Sequence, residues 1–144
     1  MDQNEAPPSR TLAIVKPDAV AAGHTGAIVQ MIEQDGFTIR ALRMTRLSTG
    51  QARAFYAVHA ERPFYDSLVE FMTGGPVVVA ALERTDAVAA WRRLMGATNP
   101  AEAEAGTVRA RFGSSIERNS THGSDSPENA AAEVGFFFSA ADLL

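Results

Sequence analysis

One histidine, His122, sits in the most chemically suggestive stretch of the chain, Asn119-Ser120-Thr121-His122-Gly123-Ser124-Asp125-Ser126. An imidazole titrates near pH ~6.5, so it is substantially neutral at cellular pH and can attack phosphorus. Gly123 allows another group to approach the backbone beside the ring. Ser126 and Pro127 read as the cap and first residue of a helix, whose N-terminal end offers partial positive charge to an anion. Together these features suit a histidine that accepts a phosphoryl group. A turn histidine that only caps or hydrogen-bonds fits the same residues, so the stretch by itself leaves both readings open.

Charge on a transferring phosphoryl group must be met by fixed donors. Arginine suits this because its planar fork binds phosphate oxygens in pairs. Lys16, Arg92, Thr98 and Arg109 are the candidates. Each could equally be a solvated surface residue, although Lys16 is well fixed by its place between an apolar run and a proline. Phe64, in Arg62-Pro63-Phe64-Tyr65, falls on the flank of a helical apolar stripe. It reads either as a platform for a base or as a core-edge aromatic. His24 and His59 lie in polar surroundings without ligand-like partners and read as surface residues.

The elements that must position these groups follow from the apolar pattern. Leu12-Ala13-Ile14-Val15 reads as a buried strand stopped by Lys16-Pro17-Asp18. Ile28, Met31 and Ile32 recur at helical spacing, with Gly36 placed to end that helix. Phe37, Ile39 and Ala41 alternate as a half-buried strand, and the phase change at Leu42 and Met44 predicts a bulge or a change in burial. Ser48 and Gln51 have capping-box spacing and open a helix expected to run through Val58. Tyr65, Leu68, Val69 and Met72 form the next stripe, broken by Gly74-Gly75-Pro76.

Val77 to Leu82 has no polar alternation and reads as a central strand covered on both faces. Helices are expected from about Asp86 to Met95 and from Ser126 toward Val134. This order implies one layered α/β domain over residues 1–144, with Met1 to Arg10 as a loose arm. The pattern leaves parallel and antiparallel sheets both open.

Composition narrows the classes. The chain has 144 residues, 46% hydrophobic and 21% charged, in line with a globular domain that has its own core. A net charge of −4 argues against a protein that coats nucleic acid. There is no cysteine, which removes disulfides, thiolate metal sites and thiol nucleophiles. No apolar run reaches the roughly 18 residues of a membrane span. The N-terminus lacks an apolar core of signal-peptide length, so a cytoplasmic protein is expected.

Taken together, the residues resemble the nucleoside diphosphate kinase family. Its signature, Asn-x-x-His-Gly-Ser-Asp, is present as Asn119 to Asp125. It is accompanied in order by Lys16-Pro17-Asp18, Arg62-Pro63-Phe64, Gly74-Gly75-Pro76, Gly96-Ala97-Thr98-Asn99-Pro100 and Gly106-Thr107-Val108-Arg109. The similarity runs from about Thr11 to the C-terminus.

The resemblance implies an α+β, ferredoxin-like βαββαβ fold with a four-stranded antiparallel sheet covered by helices. It implies that His122 is the nucleophile and that Arg92, Thr98 and Arg109 hold phosphates. Lys16 and Asn119 would bind sugar hydroxyls, and Phe64 would stack on the base with Ile116 closing its other face. Tyr56, Ser124 and Glu133 match positions that support and orient the histidine. Mg²⁺ would ride on the nucleotide phosphates, so no dedicated metal ligands are expected.

Two departures stand out. Arg111 occupies a place where an acidic residue is usual, and Glu117-Arg118 one where glycine is often seen. The short C-terminus resembles bacterial members that assemble as tetramers or hexamers, and the loop from Gly96 to Gly106 resembles the subunit-contact loop of hexamers. The expected ligands are nucleoside di- and triphosphates, with no membrane and no specific nucleic acid. A nucleic-acid-binding module on a ferredoxin-like sheet is one alternative; a catalytically silent oligomeric family member is the other.

Overall fold

Six residues in a row, Val77 to Leu82, are buried, and they fall on the inner strand that organises the whole sheet. The computed structural model describes residues 6–144. In chain order the elements are β1 (Ser9–Val15), α1 (Pro17–Ala21), α2 (Thr25–Gln34), β2 (Thr38–Thr45), α3 (Thr49–Phe55), α4 (Tyr65–Met72), β3 (Val77–Arg84), α5 (Ala87–Met95), α6 (Val108–Phe112), β4 (Thr121–Gly123) and α7 (Pro127–Phe137). Short 3-10 turns lie at Ala57–His59, Pro100–Glu102 and Ala140–Asp142.

The strands pair in the order β2-β3-β1-β4, and every pairing is antiparallel. This is the ferredoxin-like arrangement, with α3 and α4 inserted between β2 and β3 and α7 added after β4. Because side chains alternate along a strand, β1 feeds two cores. Ala13 and Val15 pack with Ile28, Ile32, Trp91 and Met95 beneath α2 and α5. Leu12 and Ile14 pack with Tyr56, Met72, Val134 and Phe137 beneath α3, α4 and α7. Helices thus cover both faces, which is why the inner strands read as continuous apolar runs.

Local chemistry accounts for most boundaries. The capping box is formed in full: Gln51 N–H donates to Ser48 Oγ at 3.1 Å, and Ser48 N–H to Gln51 Oε1 at 2.9 Å. The helix it opens ends at Phe55, short of the expected Val58. Tyr56 leaves helical geometry as its ring buries in the core, and the chain tightens into a 3-10 turn. The pairing of β2 with β3 slips between Ile39 and Ala41, so Arg40 is the bulged residue behind the phase change. Gly36 follows α2 at φ +89°, a conformation that only glycine takes without strain.

Lys16-Pro17-Asp18 not only stops β1 but opens α1, with Pro17 at its first position. The expected arm is also shorter than Met1 to Arg10. Ser9 and Arg10 already pair with Arg84 and Glu83 in β1, while residues 1–5 lie outside the described residues. Arg10 and Arg40 both donate to Glu83, at 3.0 and 3.2 Å, which ties three strands together at this end and holds that carboxyl below its usual range. His24 is half-buried rather than superficial, its ring 4.5 Å from that of Phe112.

Candidate active site

The register of β4 decides where His122 points. It lies opposite Ile14, so its side chain shares the face of Ile14 and enters the core of α3, α4 and α7. There its Nε2 meets Glu133 Oε1 at 2.7 Å. Glu133 stands on the second turn of α7, the helix that begins at Pro127 after the Ser126 cap. The same carboxylate oxygen accepts the hydroxyl of Ser124 at 2.9 Å, and Ser124 Oγ accepts the backbone N–H of Leu12 at 3.4 Å. A carboxylate on Nε2 places the proton of the neutral ring there and leaves the lone pair on Nδ1. The rings of Phe55 and Tyr56 approach the imidazole edge-on, at 5.3 and 6.1 Å between centroids.

Gly123 faces the other way, and its role is packing. A Cβ at this position would lie 2.7 Å from Trp91 Cδ1 and 2.9 Å from its Nε1. The indole occupies that space and donates to the His122 carbonyl at 3.1 Å. Trp91 thus holds the His122 backbone from beneath.

The cations come from separate elements. Lys16, at the end of β1, donates to Asn119 Oδ1 at 2.8 Å, and Asn119 Nδ2 donates to the Thr98 carbonyl at 3.0 Å. Burial and the nearby Arg109 charge lower the Lys16 pKa to about 8, partly offset by Asp18 and Glu117. Arg109 on α6 donates to the Gly96 and Thr121 carbonyls, both at 3.0 Å. Burial, then Arg92, lowers its pKa to about 10. Both groups remain cationic at neutral pH.

Between Asn119 and Thr121 the chain makes a tight turn at Ser120, closed by Thr121 N–H to the Asn119 carbonyl at 2.9 Å. Ser120 has φ +72°, unusual for a residue with a Cβ and costing about 1–3 kcal/mol. Asp18 and Lys16 pin the turn through the Ser120 N–H and carbonyl, at 3.1 and 2.8 Å.

These groups surround one cleft of about 770 Å³. Lys16, Tyr56, Phe64, Arg92, Thr98, Arg109, Ile116, Asn119, His122 and Glu133 all line it. Ser124 does not; it is fully buried behind Glu133. Phe64 caps α4 and Ile116 lies on the segment before β4, and both are exposed, at 49% and 62%. Tyr56 is buried, its hydroxyl has no hydrogen-bond partner among the described residues, and burial with the nearby Glu133 charge raises its pKa. Larger hollows elsewhere lack this convergence of histidine and cations.

The sequence reading missed several wall residues. His59, read as superficial, lines the cleft with Phe55, Glu117, Asp125 and Asn129, and its ring lies 5.4 Å from Phe64. A three-residue offset puts Tyr56 and His59 on one side of the 3-10 turn, but the expected helix stopped at Val58 and left His59 outside it. Arg111, where an acidic residue was expected, makes no ion pair among the described residues and lies 4.8 Å over the Phe112 ring. No group of three or more His, Cys, Asp or Glu among the described residues could hold a metal ion.

A family model described as nucleoside diphosphate kinase matches residues 9–143. The chain belongs to the nucleoside diphosphate kinase family. Its relatives include the nucleoside diphosphate kinase of Syntrophotalea carbinolica, 56% identical over 94% of this chain and 98% of the relative. That of a Methylobacterium species is 58% identical over 94% of this chain and 96% of its own length. Among solved structures, the nucleoside diphosphate kinase of Aquifex aeolicus superposes with a TM-score of 0.94 at 45% identity, over 96% of this chain and 100% of that one. A halophilic nucleoside diphosphate kinase from Halobacterium salinarum, solved in complex with CDP, gives 0.92 at 36% identity, over 96% and 92%.

Proposed function

We propose that the chain transfers the γ-phosphate of a nucleoside triphosphate, typically ATP, to a nucleoside diphosphate through a phosphohistidine on His122. The observation that carries this reading is the bond between His122 Nε2 and Glu133, which leaves Nδ1 as the nucleophilic nitrogen in a cleft lined by cations. Nδ1 attacks the γ-phosphorus, and the bond to the β,γ-bridging oxygen breaks as the diphosphate leaves. The imidazolium formed is stabilised by Glu133, and the reverse step delivers the phosphoryl group to a second diphosphate. One set of donors serves both half-reactions, so the exchange is reversible and ping-pong.

Arg92, Thr98 and Arg109 hold the phosphates, Lys16 and Asn119 bind the sugar hydroxyls, and Phe64 and Ile116 flank the base. Tyr56 and Ser124 support the histidine pair. Stacking reads no base edge, so every base is accepted. The cleft's basic lining suits a nucleotide that brings its own Mg²⁺. Asp125, the wall carboxylate outside the histidine pair and the Glu117 segment, would meet the metal through its water shell. Carried in by the nucleotide, the metal would supply neutralisation of phosphate charge during transfer.

One catalytic domain, assembled as a homo-oligomer in the cytoplasm, is the expected form. The exposed Leu42 and Met44 on the outer strand β2 support assembly, and no helix among the described residues is long and apolar enough to cross a membrane. The test is incubation with γ-labelled ATP. The chain takes up an acid-labile, alkali-stable label that GDP chases off, and His122→Gln takes up none. A His122→Gln chain with full transferase activity refutes the assignment, and an unlabelled parent chain refutes the reading.

A further inference from the structure

We infer that a hydrogen bond between Ser67 and Glu117 sets the width of the base slot and so tunes nucleotide affinity; the inference rests on the nucleotide reading of the cleft. The two walls of the slot belong to different parts of the chain. Phe64 caps α4, whereas Ile116 sits on the short segment between α6 and β4. That segment is braced internally, with Ser114 N–H donating to the Arg118 carbonyl at 2.8 Å and Arg118 N–H to Ser115 Oγ at 3.0 Å. It therefore moves as a unit. Two side-chain contacts tie it to α4. Ser67 Oγ donates to Glu117 Oε2 at 2.6 Å, and the Arg118 guanidinium lies 5.4 Å over the Phe71 ring.

Ser67 lies three residues beyond Phe64, and Glu117 is the immediate neighbour of Ile116. The clasp thus joins the two walls almost at their roots. A short hydroxyl-to-carboxylate bond is among the stronger kinds. Stacking attraction is steep in distance: a gap of about 0.5–1 Å forfeits a quarter to a half of each contact. Without the clasp, Ile116 can drift from Phe64 and the base loses one face. The loss scales with the stacked area, so a purine loses more than a pyrimidine. Glu117 also supports the Lys16 charge, a separate effect that does not need Ser67.

Calorimetric titration of the full chain with Mg²⁺-ADP and Mg²⁺-CDP separates these roles. Ser67→Ala and Glu117→Ala each weaken ADP binding roughly three- to tenfold, and CDP binding less. The double variant is no worse than Glu117→Ala alone. Ser67→Thr, which keeps the donor, binds as the parent does, and Glu117→Gln, which keeps an acceptor but loses the charge beside Lys16, falls less than Glu117→Ala. Both side chains are exposed, so melting temperatures stay with the parent. Unchanged binding by Ser67→Ala, additive losses in the double variant, or equal losses for ADP and CDP would each overturn the proposal. So would a fall on Glu117→Gln matching that of Glu117→Ala, since charge and not the clasp would then be at work. A parent chain that binds no ADP and forms no phosphohistidine removes the premise itself.

Discussion

Gly123→Ala adds one methyl group beside the proposed nucleophile, and the surroundings give it nowhere to go. The new Cβ would stand 2.7 Å from Trp91 Cδ1 and 2.9 Å from Trp91 Nε1, inside van der Waals contact. Trp91 is fully buried and Met95 nearly so, and neither can retreat into solvent. Forcing a methyl group into a packed core costs about 1–3 kcal/mol. Displacing the indole also breaks its bond to the His122 carbonyl. That strands a buried N–H, for roughly another 1–2 kcal/mol. The sum, about 2–5 kcal/mol, lowers the melting temperature by roughly 5–15 °C for a chain of this size.

Activity should fall further than stability explains. The ring rides on the strand that the indole supports, and a misplacement of about 1 Å costs on the order of 10²-fold in rate. Thermal melts and rapid-quench phosphorylation by labelled ATP, both below the melting transition, read the two effects. A variant that melts with the parent and phosphorylates at the parental rate would refute the reasoning. The indole would then yield without cost and could not be what holds His122.

Replacing Glu133 with Gln keeps an acceptor near Nε2 but exchanges a charge-assisted bond for a neutral one. The difference of about 1–2 kcal/mol predicts a phosphorylation rate roughly 10-fold lower, and an unchanged single-turnover rate would count against the orienting role. The pH dependence follows from Lys16. Its pKa in the folded chain is about 8, below the ordinary lysine value, so the protonated form dominates at neutral pH and is lost as pH rises through that value. Nucleotide affinity should therefore decline above about pH 8, and titrations at pH 7 and 9 that agree would show that the Lys16 charge does not contribute.

Fold and site were legible to different depths. β3 could be read because burial on both faces removes polar alternation, and the β2 bulge because one extra residue flips every side chain after it. Strand direction was not legible, since antiparallel pairing leaves no mark on a strand buried on both faces. The five-residue α1 was also missed, being too short for a periodic signal. At the site, the types and spacing near His122 suggested phosphate chemistry but left a simple turn equally open. The contact that separates the two readings joins His122 to a carboxylate 11 residues away on another element. Family resemblance named that partner; spacing could not. Ser120 carried no warning of its positive φ, because serine adopts extended and helical backbone freely, and the groups that hold the turn include Lys16 and Asp18, the latter 102 residues away in the chain.

The edge position of β4 explains how the His122 ring can be both held and reachable. A three-residue strand paired on one side only is a weak element by itself. Here its backbone is secured from outside the ladder. Trp91 binds the His122 carbonyl, Arg109 the Thr121 carbonyl, and Lys16 N–H the Ser120 carbonyl. Two of these three residues also present cations to the cleft: Arg109 with the guanidinium that braces the strand, and Lys16 with an ammonium whose own backbone N–H does the bracing. Binding charge and nucleophile position are therefore coupled. Truncating Arg109 removes a proposed phosphate donor and at once frees the carbonyl beside His122, so its effect on rate must exceed its effect on nucleotide affinity. Arg92 makes no hydrogen bond to the strand, and its truncation should move the two together.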